Sequence, residues 1–143
     1  MRASSTSIPL GKIAASAVIT HNNKILLLKR ASDAKLFPNY WTFPSGEIEE
    51  TDTTTEQAVI REVKEETNLD FKPLQKLGFY ESIADNKRHF ALVHLGSWSG
   101  KIKRQESEVS DFRWCSYNEA KKLKLAFAYK QVIEDLKKQK VIR

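Results

Sequence analysis

The stretch that most constrains the fold of this chain is residues 53–67, the clearest helical pattern among its 143 residues. Thr53 and Glu56 have the spacing of a capping box, and Val59, Ile60 and Val63 then recur as one apolar arc. Asn68 follows as a residue suited to the left-handed position that closes a helix. An amphipathic helix needs a surface to lie on, and its neighbours read as strands. Residues 13–20 and 24–29 are β-branched and aliphatic on either side of His21-Asn22-Asn23, where asparagine tolerates the positive φ of a tight turn, so they predict a hairpin. Residues 31–39 predict a loop holding Pro38, and residues 40–43 a short aromatic strand stopped by Pro44-Ser45-Gly46. Further strands are predicted over residues 72–82 and 88–98, around an Asp85-Asn86 turn, and over residues 111–116. Residues 126–140 predict a second helix, with Phe127, Tyr129, Val132, Ile133 and Leu136 on its buried face. Helices and strands do not alternate strictly. The order therefore predicts the α+β class, an α/β/α sandwich whose mixed β-sheet is flanked by helices, over a doubly wound parallel sheet.

The chain is of ordinary length for one domain, and with no internal repeat or linker-like change of composition, residues 8–143 are expected to form it. Residues 1–7 are small, polar and serine-rich and read as a flexible lead-in. With 41% hydrophobic and 29% charged residues but only 5 Gly and 4 Pro, collagen-like and low-complexity architectures are excluded. Cys115 is the single cysteine, which excludes an intramolecular disulfide scaffold and favours a reducing, cytoplasmic location. The longest apolar runs, residues 13–19 and 25–28, fall far short of the about 20 residues of a membrane span, and Arg2 is followed by serines rather than a secretory core; no membrane partner is expected. A formal charge of +6 suits a polyanionic partner, nucleic acid or small polyphosphate alike.

The chemistry concentrates in Arg61-Glu62-Val63-Lys64-Glu65-Glu66. At 100° per residue, Glu62, Glu65 and Glu66 fall within about 100° of arc, three carboxylates on one side of the helix. Like charges at these spacings cost a few tenths of a kcal/mol per pair on a bare helix, and more against a core. A bound divalent cation relieves that repulsion, and hard oxygen ligands suit Mg²⁺ or Mn²⁺, whereas the lack of a Cys/His cluster argues against zinc. A solvated acidic face is the alternative for these three residues alone. An acidic loop containing Glu47, Glu49 and Glu50 precedes the helix, and Gly46 there is able to bring a backbone carbonyl toward the same cation.

Gly46 through Leu69 resembles the signature box of the Nudix hydrolases: glycine, five residues, glutamate, seven residues, then Arg-Glu-apolar-any-Glu-Glu-any-Gly-apolar. Residues Arg61 to Leu69 fit its second half, with Asn68 in place of the helix-closing glycine. The first half carries one extra residue, so the early glutamate falls on Asp52 counted from Gly46, or on Thr53 counted from Arg61; Glu49 and Glu50 are further substitutes. Leu26-Leu27-Leu28-Lys29-Arg30 is similar to the family's second strand with its basic end, and Trp41 to Gly46 to the approach to its box. Glu108 to Trp114 is similar to the late strand that leads into a Glu-Ala helix start, here Glu119-Ala120.

The resemblance implies a Nudix-like fold and the metal-dependent hydrolysis of a pyrophosphate linkage in a nucleoside diphosphate joined to another moiety. Candidate substrates are a dinucleoside polyphosphate, a nucleoside triphosphate or ADP-ribose, the late region being similar to the dinucleoside tetraphosphate branch. It implies Glu62 as ligand or general base, Glu65, Glu66 and the Gly46 carbonyl as further ligands, and Arg61 as a group that orients a carboxylate or touches phosphate. Arg30 would meet a substrate phosphate, and Glu108, a candidate for substrate binding, would with Glu106 supply a late carboxylate to the metal or act as base. Phe79, Tyr80 and Trp98 are candidates to stack a base, with a place in the core as the alternative. His21, His89 and His94 lack ligand spacing, and Lys121, Lys122 and Lys124 read as a wet surface. The expected partner is a small-molecule nucleotide, an RNA end being less favoured, with the protein a monomer or homodimer. The alternative from another class is a non-catalytic module of the same fold that binds nucleotide or RNA.

Overall fold

The computed structural model describes residues 8–143, so the lead-in expected over residues 1–7 lies outside the described part. Its strands are β1 (Leu10–Val18), β2 (Thr20–His21), β3 (Lys24–Arg30), β4 (Trp41–Thr42), β5 (Ser45–Glu47), β6 (Asp70–Ala84), β7 (Lys87–Ser99) and β8 (Val109–Cys115). The helices are α1 (Thr55–Thr67), α2 (Tyr117–Ala120) and α3 (Tyr129–Lys138).

One mixed sheet has the order β5-β1-β7-β6, with β1 parallel to β7 and the other pairs antiparallel. In a second sheet β3 pairs with β8 on one edge and with β2 and β4 on the other. The predicted hairpin is thereby corrected. Its turn exists, with Asn22 and Asn23 at φ 50° and 61°, but only Thr20 and His21 pair across it, and β1 leaves for the other sheet. The reason lies in burial: residues 15–18 are covered on both faces, which demands a central strand with two neighbours rather than a half-exposed hairpin arm.

Each face of the mixed sheet carries its own core. On one, Val59 and Val63 of α1 pack with Ala15, Ala17, Leu26, Leu28 and Phe71; on the other, Val132, Ile133 and Leu136 of α3 meet Val18, Ile25, Phe43 and Val93. Helix, sheet and helix thus form the predicted layers. Helix α1 begins later than expected. Thr54, not Thr53, is its N-cap and accepts from the Gln57 N–H at 3.0 Å, while Thr53 donates its N–H to Gln57 Oε1 at 2.6 Å. The run of threonines offers the same capping chemistry one residue further on. Asn68 closes the helix at φ 67°, its N–H reaching the Lys64 carbonyl.

The second predicted helix starts at Tyr129 rather than residue 126. The Ala126 N–H is drawn to the Trp41 carbonyl at 2.9 Å and Phe127 stands at φ 51°, so tertiary pairing holds these residues out of the helix. Among the described residues no helix is long and apolar enough to cross a membrane.

Candidate active site

Helix α1 turns Glu62 and Glu66 toward β5 and toward the loop before β8. The carbonyls of its last turn are met by that loop: Lys103 donates its N–H to the Thr67 carbonyl at 2.8 Å, and Gln105 to that of Glu66 at 3.0 Å. This docking carries Glu108 to the carboxylates, where its own carbonyl accepts from the Ala31 N–H at 3.0 Å, next to Arg30 at the end of β3. Arg30, Gly46, Glu62, Glu65, Glu66 and Glu108 all line one cleft of about 520 Å³. Six of the residues nominated for metal or substrate contact are therefore brought together.

Gly46 faces Ala15 in the sheet, and a Cβ placed on it would overlap the Glu62 carboxylate. A side chain here would displace the Glu62 carboxylate, the flexible end of its side chain. Ser45 donates its N–H to Glu66 Oε1 at 2.8 Å. Burial pushes the Glu66 carboxyl well above the usual glutamate range; the Ser45 N–H opposes that shift, Glu62 and Glu108 add to it, and Arg30 counters them. Burial also raises Glu62, against the pull of Arg61. Negative charge is thus crowded where water is scarce.

Arg61 does not line the cleft. Its Nε and Nη2 grip Asp52 at 3.1 and 2.8 Å, while Nη1 reaches Glu62 Oε1 at 2.6 Å and Glu65 Oε1 at 3.4 Å. The hydrogen bonds that Arg61 donates to Asp52 raise the guanidinium above its ordinary range, and the same bonds hold Asp52 below the usual carboxylate range. Arg61 is thus hydrogen-bonded to three carboxylates and has no place in the cleft lining. Asp52, the early carboxylate counted from Gly46, faces Arg61 and not the cleft.

Hard carboxylate oxygens beside a glycine cradle form a donor set fitted to Mg²⁺ or Mn²⁺. Among the described residues, however, no three acidic, His or Cys side chains already converge as a metal site. Glu62 is turned to Arg61 and Glu66 to the Ser45 N–H, so ligation requires Glu62 to exchange that partner.

Other candidates separate. Glu106 lies outside the cleft lining. Trp98 is structural, donating Nε1–H to the Thr20 carbonyl at 2.8 Å and packing against Trp114; Phe79 stands exposed, away from the cleft lining. Tyr80 does line the cleft, its hydroxyl donating to Asp135 at 2.7 Å. His89 lines it too, but Nδ1 accepts from the Lys12 N–H, leaving Nε2–H to donate to the Ala84 carbonyl. Two participants escaped the sequence reading. The Ser45 N–H carries no side-chain signal, and Phe127, read as a helix-face residue, instead lines the cleft with the Arg30 guanidinium 5.5 Å from its ring centroid. Arg30 Nε is fixed by the Leu36 carbonyl at 2.9 Å.

Residues 11–136 match the family model described as NUDIX domain. An ADP-ribose pyrophosphatase of Methanocaldococcus jannaschii is 32% identical over 125 residues, 86% of this chain and 71% of that protein. Nudix hydrolase 2 of Arabidopsis thaliana is 30% identical over 71% of this chain, which spans only 37% of its length. The crystal structure of a MutT protein from Methanosarcina mazei superimposes with a TM-score of 0.82 over 92% of this chain and 96% of that one, at 22% identity, a likeness of fold.

Proposed function

The chain belongs to the Nudix family and is a Nudix pyrophosphohydrolase, and from that premise we propose that it cleaves a nucleoside diphosphate joined to a second moiety with a divalent cation held by Glu62, Glu65 and Glu66. The observation that carries the reading is the gathering of these glutamates with Glu108 and Arg30 along one cleft, Glu65 at its exposed rim, where burial makes Glu62 and Glu66 poor anions. The same reading treats residues 8–143 as a single domain.

Mg²⁺ or Mn²⁺ bound there would lower the pKa of a water and offset charge on the phosphate oxygens. The Gly46 carbonyl would complete the ligand set. Glu62 serves as ligand and, once freed from Arg61 Nη1, as the base that takes the proton of the attacking water. The water oxygen bonds to phosphorus as the bridging P–O bond breaks, and the second phosphate leaves with the bridging oxygen. Arg61 is a positioning residue, held by Asp52. Arg30 offers Nη1 and Nη2 to a substrate phosphate while Leu36 holds its Nε. Glu108 places a further carboxylate on the substrate side.

A relative named for ADP-ribose, matched over most of both chains, puts that compound first among the candidates, ahead of nucleoside triphosphates, dinucleoside polyphosphates and 5′-triphosphorylated RNA. The test is turnover of this panel with and without Mg²⁺. At least one compound should release a nucleoside monophosphate only with metal, and Glu62→Gln should lower kcat by about 10²- to 10⁴-fold with the fold intact. No turnover of any compound, or undiminished turnover by Glu66→Gln, overturns the reading.

A further inference from the structure

Helix α1 covers only one end of its face of the mixed sheet. At the other end Leu10, Ile13, Phe79 and Ile83 are 53%, 38%, 58% and 60% exposed. Strand register puts them on one side: Ile13 lies opposite Phe90, Phe79 opposite Leu92, and Leu10 and Ile83 both opposite Arg88. Phe79 and Phe90 stack with their planes 3° apart and centroids 5.0 Å apart, and the Arg88 guanidinium lies 5.6 Å from the Phe90 centroid.

The charges around this apolar face select its occupant. The chain as a whole carries +6, which sets most approaches of two copies against each other. Residues 79–90, by contrast, hold Glu81 and Asp85 against Lys87 and Arg88, with no formal net charge. Glu81 stands in the row between Phe79 and Ile83, and within the described residues neither it nor Arg88 makes an ion pair. Arg88 Nε is a buried donor without an acceptor, alone in this among the side chains described.

We propose that this face joins two copies of the chain, Phe79, Phe90 and Ile83 of each packing on those of the other while Glu81 of each accepts from Arg88 of its mate. A two-fold axis demands such a patch, in which residue i meets j and j meets i, and an apolar centre with one free acid and one free base satisfies it. An oligonucleotide would require a surface without Glu81 at its centre.

Sedimentation equilibrium of the full chain tests the assembly. Wild type should sediment as a dimer across the micromolar range, and Ile83→Glu or Phe79→Glu as a 16.4 kDa monomer that is still folded and melts cooperatively, both positions being exposed. Glu81→Arg and Arg88→Glu should each be monomeric alone, since like charges then meet across the axis, and their equimolar mixture should restore the dimer. A monomeric wild type, a dimer indifferent to Ile83→Glu, or a mixture that stays monomeric overturns the proposal. None of these readouts depends on turnover, so they fail or succeed apart from the catalytic reading.

Discussion

Gly46 and the Glu62 carboxylate compete for one small volume, and this makes a single methyl group informative. In Gly46→Ala the flexible glutamate, rather than the backbone, has to give way. The expected result is a stability change below about 1 kcal/mol with kcat down at least about 10-fold, read by thermal melting and steady-state turnover on one sample. Glu66 gives a second test, through pH. Its carboxyl is held above the ordinary glutamate range, so between that range and the raised value the folded chain keeps a proton that the unfolded chain has lost. Stability is therefore largest below the ordinary glutamate value and falls as pH rises through the raised one. Glu66→Gln keeps an acceptor for the Ser45 N–H and removes the titration. Without divalent metal, melting from roughly pH 4 to 8 should show the variant more stable than wild type at the upper end and free of this part of the slope. A variant less stable at every pH would contradict the assignment.

At the scale of an element, α1 matters because its ends fix the rotation that points Glu62 and Glu66 into the cleft. Thr54→Ala removes the acceptor for the Gln57 N–H and should cost about 1 kcal/mol. Asn68 holds φ 67°, so Asn68→Ala should cost about 1 kcal/mol while Asn68→Gly stays within a few tenths, differences that denaturant titration resolves. Val59, Val63 and the closing asparagine were legible because they are local to one helix, whereas the cap fell at Thr54 rather than Thr53 and Ile60 turned out to be exposed. The sheet was legible only in part. Nothing near residues 10–18 announces that β1 runs parallel to β7 some 75 positions away, since that pairing answers to burial on both faces rather than to a local pattern. Phe127 failed for the same reason, its place on the helical wheel being overridden when Ala126 pairs with Trp41. The carboxylate trio and the glycine before it were readable from spacing, whereas the Ser45 N–H and the choice of Asp52 as the partner of Arg61 depend on backbone paths that spacing does not encode.

For the whole molecule, the cleft exists only where α1, the end of β3, β5 and the loop before β8 meet, so metal binding and folding are coupled. A cation that binds the folded chain alone stabilises it by RT ln(1 + [L]/Kd), about 2.7 kcal/mol at a hundredfold excess over Kd, or roughly 10 °C in Tm for a chain of this size. Mn²⁺ should raise the wild-type Tm accordingly and raise that of Glu66→Gln by no more than about half as much. Catalysis here requires carboxylates that hold a cation in place of Arg61 and water. Calorimetric titration of Mn²⁺ into the wild type, Glu62→Gln and Glu66→Gln tests this most directly. Saturable binding to the wild type with at least a tenfold weaker Kd in each variant, about 1.4 kcal/mol, is the predicted result. Equal affinity in all three, or no binding heat in the wild type, would contradict it.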